Sequence, residues 1–176
     1  AVLIGASCVD AKDILLSEAV SDEKTNNFEV IQNAIDQCSK SGGGEVVFPN
    51  NGGVYLSGGP IRLKDGVTLR IPKGATLKAI ASECTTKGFI HAKNAKDIGL
   101  TGGGTIDGSG GDYIVKDAAP KRCNLVLLEN SKNIRITDIV LYNGATWTLN
   151  LKQCDTVFIS GIHINSHVNF NNDGID

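Results

Sequence analysis

Residues 126–141, VLLENSKNIRITDIVL, and residues 149–164, LNLKQCDTVFISGIHI, are two copies of one pattern. Val126 and Leu128, Ile134 and Ile136, and Ile139 and Leu141 become Leu149 and Leu151, Val157 and Ile159, and Ile162 and Ile164 when 23 is added to each number; every position stays apolar. Within each copy the apolar residues alternate, which is the period of a strand, and the phase resets at a polar turn. The turns are Glu129-Asn130-Ser131-Lys132 and Lys152-Gln153-Cys154-Asp155. An earlier copy runs from Ile90 and Ala92 to Ile98 and Leu100, broken at Lys93-Asn94-Ala95-Lys96. Three short strands in about 23 residues make the unit of a parallel β-helix, in which no coil buries its inward row alone and stacked coils share one core. Leucine-rich repeats have a similar period, but their single strand per repeat and regular Leu/Asn spacing are missing here. The spacing therefore predicts an all-β solenoid with Val126, Leu128, Ile134, Ile136, Leu149, Leu151, Val157 and Ile159 buried in stacked rows.

Upstream the same reading holds more loosely, through Val46-Val47-Phe48, Ile61 and Leu63, Val67 and Leu69, and Leu77. One helix is predicted, over Asn27–Cys38: Phe28, Ile31, Ile35 and Cys38 form an apolar stripe with Ala34 beside it. Asn27 is placed to cap it, and Gly42-Gly43-Gly44 to stop it. Such a helix would close the open first coil, which otherwise presents an unpaired edge. Two stretches break the period, residues 108–122 and 166–172, and are expected to project as loops, where solenoids build their sites. Residues 27–176 thus read as coils of one domain. Residues 1–26 form a separate N-terminal segment. Its apolar start, AVLIGA before Ser7-Cys8, reads as the tail of an export signal with a lipid anchor at Cys8, or as a first strand.

Composition agrees with a turn-rich fold: 21 of 176 residues are glycine, and aromatics make up 5%. A net charge of −2 gives no global basic field for nucleic acid. No apolar run reaches the ~18 residues that would span a membrane. Five cysteines without a CxxC pair argue against a zinc site and for buried thiols.

At Gly102-Gly103-Gly104-Thr105-Ile106-Asp107-Gly108 and Asn171-Asn172-Asp173-Gly174-Ile175-Asp176, the sequence resembles glycoside hydrolase family 28, the polygalacturonases and rhamnogalacturonan hydrolases. The first run is similar to that family's GTIDG segment, and the second to its first catalytic motif, NT-D-G-(I/F)-D, with Asn172 in place of the usual threonine. GGGEVVFP (42–49), PIRLKDGVTL (60–69) and KGATL (73–77) are similar to its N-terminal coils. The resemblance implies a right-handed parallel β-helix and an exported, monomeric enzyme. It also implies inverting hydrolysis of galacturonide linkages in pectin, without a metal or organic cofactor. The family's other catalytic motifs (adjacent aspartates, a Gly-His segment, an Arg-x-Lys) follow this one and do not occur upstream here. The chain is therefore expected to be truncated on its C-terminal side and inactive alone.

Glycosidic hydrolysis needs an acid for the leaving oxygen and a base for water, standing roughly 6.5–9.5 Å apart when configuration inverts. By the resemblance Asp173 is the general acid and its partner lies in the missing coils. Asp176, three residues on, faces away from Asp173 in an extended strand and is expected to orient its neighbours. Both aspartates also fit plain turn carboxylates. Asn171 and His167 are candidate substrate contacts, with structural roles open for each. Trp147 lines up one coil below Asp173, either stiffening a cleft floor or, by preference, packing a corner. His91 and His163 fall between inward positions and are expected on the solvated outer face. A rhamnogalacturonan hydrolase, a calcium-dependent pectate lyase and a non-catalytic carbohydrate-binding β-helix are the alternatives.

Overall fold

The computed structural model describes residues 12–84, 87–113, 122–169 and 172–176. In chain order the elements are β1 (Ile14–Leu15), α1 (Phe28–Lys40), β2 (Gly44–Val47), β3 (Val54–Ser57), β4 (Ile61–Arg62), β5 (Val67–Arg70) and β6 (Thr76–Ala79). There follow β7 (Gly88–Lys93), β8 (Lys96–Thr101), β9 (Thr105–Asp107), β10 (Asn124–Glu129), β11 (Lys132–Thr137), β12 (Val140–Tyr142), β13 (Leu149–Lys152), β14 (Asp155–Ser160) and β15 (His163–Asn165). They form three sheets, ordered β1-β2-β5-β8-β11-β14, β4-β7-β10-β13 and β3-β6-β9-β12-β15, with every pair of neighbouring strands parallel. Three strands make a coil, and the coils stack into the parallel β-helix that the repeat predicts, right-handed as the resemblance implies.

The registers stack like on like. Ile61, Ile90, Val126 and Leu149 form one column; Ile98, Ile134 and Val157 form another. A third runs through Tyr55, Leu77, Ile106, Leu141 and Ile164. These side chains fill the lumen, where each fully buried aliphatic contributes roughly 1.5–3 kcal/mol. Val126, Leu128, Ile134, Ile136 and Leu149 are buried as expected. Leu151 and Ile159 are only half-buried, and Val157 is exposed. These three continue the inward columns as predicted, but they sit in the last described coil, over which no described layer closes the lumen.

Helix α1 packs against β2, β4 and β5 at the other end, burying Ile31, Ala34, Ile35 and Cys38. It runs two residues further than the stripe suggested, and Asn27 makes no capping bond. The Asn27 amide is instead buried, bonding the Val20 backbone in both directions and the Leu56 carbonyl. Asn26 accepts the Phe28 N–H in its place, at 2.9 Å. The Gly43 N–H bonds the Cys38 carbonyl at 2.9 Å and ends the helix. Cys38, Cys84 and Cys123 are buried free thiols, while Cys154 is half-buried. Cys8 and the apolar start of the chain lie outside the described residues.

Between strands the backbone turns through left-handed residues, and these too stack. One column is Gly43, Gly66, Asp97, Asn133 and Thr156, with φ of 99°, 76°, 56°, 54° and 55°. A second is Gly52, Gly74, Gly103, Asp138 and Gly161, with φ from 48° to 91°. A third is Asn94, Asn130 and Gln153. Coils in register must bend alike, so each corner demands the same positive φ in every layer. Glycine meets that demand without steric cost, and asparagine or aspartate at a small one. Within the first column the Asn133 amide donates to the Asp97 carboxylate at 2.9 Å, tying two layers together.

Candidate active site

The motif at 171–176 is not a free tail. The Thr148 N–H donates to the Asp173 carbonyl at 2.9 Å, and Leu149 N–H to the Gly174 carbonyl at 3.0 Å. The Asp176 N–H donates to the Leu149 carbonyl at 2.9 Å, and Leu151 N–H to the Asp176 carbonyl at 2.8 Å. Ile175 pairs in parallel with Leu149. The segment is therefore one more rung laid on β13, and the register fixes what lies beneath each residue. Counting back two positions sets Asp173 over Trp147, itself over Asn124; counting forward one sets Asp176 over Asn150, itself over Leu127 and His91.

Asp173 is exposed, and the Trp147 Nε1–H donates to its Oδ2 at 2.9 Å. The preferred packing role for Trp147 gives way here: the residue is 38% exposed and its indole N–H serves the carboxylate. Asp176 is also exposed, and among the described residues it is held by its backbone alone. His167 is exposed and makes no hydrogen bond or ion pair among the described residues. Asn171 lies outside the described residues.

Beside Asp173 the interrupting loops interlock. The Asn169 amide donates to the carbonyls of Gly110, at 2.7 Å, and Ala145, at 3.3 Å. The Asn172 amide donates to the Gly144 carbonyl at 2.9 Å, and Ser166 Oγ donates to the same oxygen at 3.2 Å. Gly110 N–H bonds the Asn143 carbonyl at 2.7 Å. Asn172, the departure from the motif, thus anchors the rung to the loop below it. Sequence reading assigned no such work to Asn169 or Asn172; the recurrence of Asn in residues 165–172 was the available signal.

In and beneath the rung lie buried polar atoms that have no partner among the described residues: Asn124 Oδ1, Thr148 Oγ1, Asn172 Oδ1 and both side-chain polar atoms of Asn150. Lower on the same sheet the outer face is less solvated than expected. His91 Nε2 lies 2.9 Å from Glu129 Oε2, with the His91 side chain only 12% exposed. Lys87 Nζ approaches the same oxygen at 3.7 Å. The hydrogen bond from His91, with the charge of Lys87, holds the Glu129 carboxyl below the usual glutamate range. His163 is exposed, as its position implied. Among the described residues no three His, Cys, Asp or Glu side chains converge as a metal site, and no helix is long and apolar enough to cross a membrane.

Comparison with known proteins agrees with this picture. The sequence model of the glycosyl hydrolases family 28 matches residues 38–176. An endo-polygalacturonase of Pectobacterium carotovorum subsp. carotovorum is 31% identical over 146 residues, covering 65% of this chain and 36% of that protein. A polygalacturonase of Ralstonia solanacearum is 27% identical over 143 residues, covering 68% of this chain and 27% of that protein. The fold matches that of a hyperthermoactive exopolygalacturonase from Thermotoga maritima with a TM-score of 0.81, at 22% identity, over 93% of this chain and 49% of that one. The chain thus spans about a third of the length of the curated relatives it matches.

Proposed function

Since the chain belongs to the glycosyl hydrolases family 28, we propose that it supplies the N-terminal coils, and one of two catalytic carboxylates, of an enzyme that hydrolyses galacturonide linkages in pectin. The observation that carries this reading is Asp173 itself. Its backbone is locked as a rung of the sheet while its carboxylate stays exposed, at the same sheet position that two interlocked loops flank. In an inverting hydrolysis Asp173 protonates the leaving oxygen, and a second carboxylate activates water from the far side. The partner carboxylate comes from the remainder of the whole protein. Asp176, over the buried Asn150, supports its neighbours rather than transferring a proton. Asn171 and His167 contact the sugar chain. The substrate is a polymer found outside cells, so the protein is exported.

The test is Asp173→Asn in the whole protein, which keeps shape and hydrogen bonding and removes the titrating proton. General acid–base contributions are typically about 10²–10⁴-fold, so kcat on polygalacturonate should fall by that factor with KM largely unchanged. Asp176→Asn should cost less. Retention of more than about a third of kcat by Asp173→Asn, far above that range, rules out the acid role.

A further inference from the structure

We propose that Cys84 and Cys123 are a disulfide site: oxidised together, they clasp the foot of the 108–122 stretch to the connection that follows β6. The two residues are 39 positions apart in sequence, and both are buried. They meet beside Phe89. Cys84 Sγ and the Phe89 ring stand 3.1 and 3.2 Å from where a Cβ on Gly59 would lie, and the Cys123 thiol accepts the Phe89 backbone N–H. The two thiols hydrogen-bond one another. Tyr113 Oη closes the cluster, 2.9 Å from Cys123 Sγ and 3.4 Å from the Cys84 carbonyl oxygen. Cys38 and Cys154 face backbone carbonyl oxygens instead, those of Lys12 and Leu128.

The pair is chemically unequal. The hydrogen bond from the Cys84 thiol, with that from Tyr113, holds Cys123 below the usual thiol range. Donating that bond, together with burial, pushes Cys84 above it. Cys123 therefore supplies the thiolate, which is the attacking form. It attacks a small-molecule disulfide such as oxidised glutathione, forming a mixed disulfide and expelling one thiolate. The Cys84 sulfur, giving up its proton, then attacks Cys123 Sγ and expels the second thiolate. The two cysteines lose two electrons and two protons, and the external disulfide takes them up as two thiols. Both sulfurs are buried, so exchange is slow and the finished bridge is shielded from reductant.

The bridge completes an anchorage already half made. At one foot of the stretch, Ser109 Oγ donates to the Ala79 carbonyl at 2.7 Å, at the end of β6. Cys123, at the other foot, would be bound to Cys84, just past the short helical turn at Ala81–Glu83. Gly110, next to Ser109, is the residue whose carbonyl holds the Asn169 amide beside the last rung. Such bridges persist outside the reducing cytosol, where the export reading under the proposed function places the protein. The pairing itself stands on the thiols and is independent of the substrate.

Whole protein equilibrated with oxidised glutathione, alkylated in denaturant and cut with trypsin should give peptides 79–87 and 123–132 joined, and separate after reduction. Both cysteines recovered alkylated, or Cys84 joined to a different cysteine, overturns the proposal. Dithiothreitol should lower the melting temperature of the oxidised protein by about 5–10 °C, the effect of releasing a loop of about 40 residues. It should leave that of Cys84→Ser/Cys123→Ser in place. An equal shift in the double variant assigns the effect to another bond and overturns the clasp, as does a joined pair whose reduction leaves the melting temperature unmoved. Activity on polygalacturonate is read separately, so failure of the hydrolase reading leaves these outcomes as they are.

Discussion

Adjacent glycines in Gly102-Gly103-Gly104 should respond very unequally to substitution. Gly102 has φ of 118°, and a Cβ there would fall onto the Ile71 carbonyl oxygen and lie 2.7 Å from its carbon and 2.9 Å from its nitrogen. That peptide cannot retreat freely, because Ile71 N–H donates to Thr101 at 2.8 Å and the Ile71 carbonyl accepts Gly104 N–H at 2.9 Å. A non-glycine residue held in so unfavourable a backbone region costs about 1–3 kcal/mol. Loosening the two backbone bonds adds about 1 kcal/mol each. Gly102→Ala should therefore lose ~3–5 kcal/mol, which for a domain of this size lowers Tm by about 10 °C. Gly103, at φ of 81°, has its nearest Cβ contact at 3.4 Å, with Lys73, and shares its column with Asp138. Gly103→Asn should cost only about 1 kcal/mol, or roughly 2–4 °C. Thermal unfolding of both variants by circular dichroism decides the matter. A Gly102→Ala protein melting within ~2 °C of wild type, or a Gly103→Asn protein melting below Gly102→Ala, would refute the steric reasoning.

Two further outcomes follow from the outer face of the β4-β7-β10-β13 sheet. Glu129 is held below the usual glutamate range by His91 and Lys87, so its contribution is fully present above about pH 4.3 and fades as pH falls through the lowered value. Glu129→Gln should therefore melt below wild type at pH 6, with the gap closing toward pH 3; a gap that is constant across this range removes the electrostatic account. Asn150 buries an amide that has no partner among the described residues, so Asn150→Leu, of similar volume, should match or exceed wild-type stability by up to ~1–3 kcal/mol. A loss above about 1 kcal/mol in denaturant titration would mean that the amide is satisfied.

The coils were legible in residues 90–164 because a parallel β-helix repeats its inward row, and the aliphatic columns are that repeat seen in space. Periodicity reports where a side chain points and not what lies over it. Val157 obeys the pattern of Ile134 and is nevertheless exposed. The converse holds for His91 and Asn150, polar positions on the outward phase that are covered. Asn27 shows a different limit: its place before the stripe suggested a cap, but a tertiary bond to Leu56, distant in sequence, claimed its amide. At the candidate site, Asp173 stood out through its motif. The bond from Trp147 did not, because it joins residues outside regular strands and depends on the register of one rung upon another.

The left-handed columns at the corners bear on how such a chain changes over generations. What each layer hands to the next is a backbone bend, and Gly, Asp, Asn, Thr and Gln all occur in the three columns. Drift among these residues leaves the bend intact where a Cβ has room, as at Gly52, Gly74 and Gly103, but not at Gly43, where a Cβ would lie 2.6 Å from the Gly66 carbonyl oxygen of the next layer. A whole coil, gained or lost between two like corners, likewise leaves every remaining corner with a neighbour of the same hand. Insertions are tolerated where a bend can open outward into a loop. A single residue added within a strand, by contrast, throws every later side chain in that strand onto the opposite face.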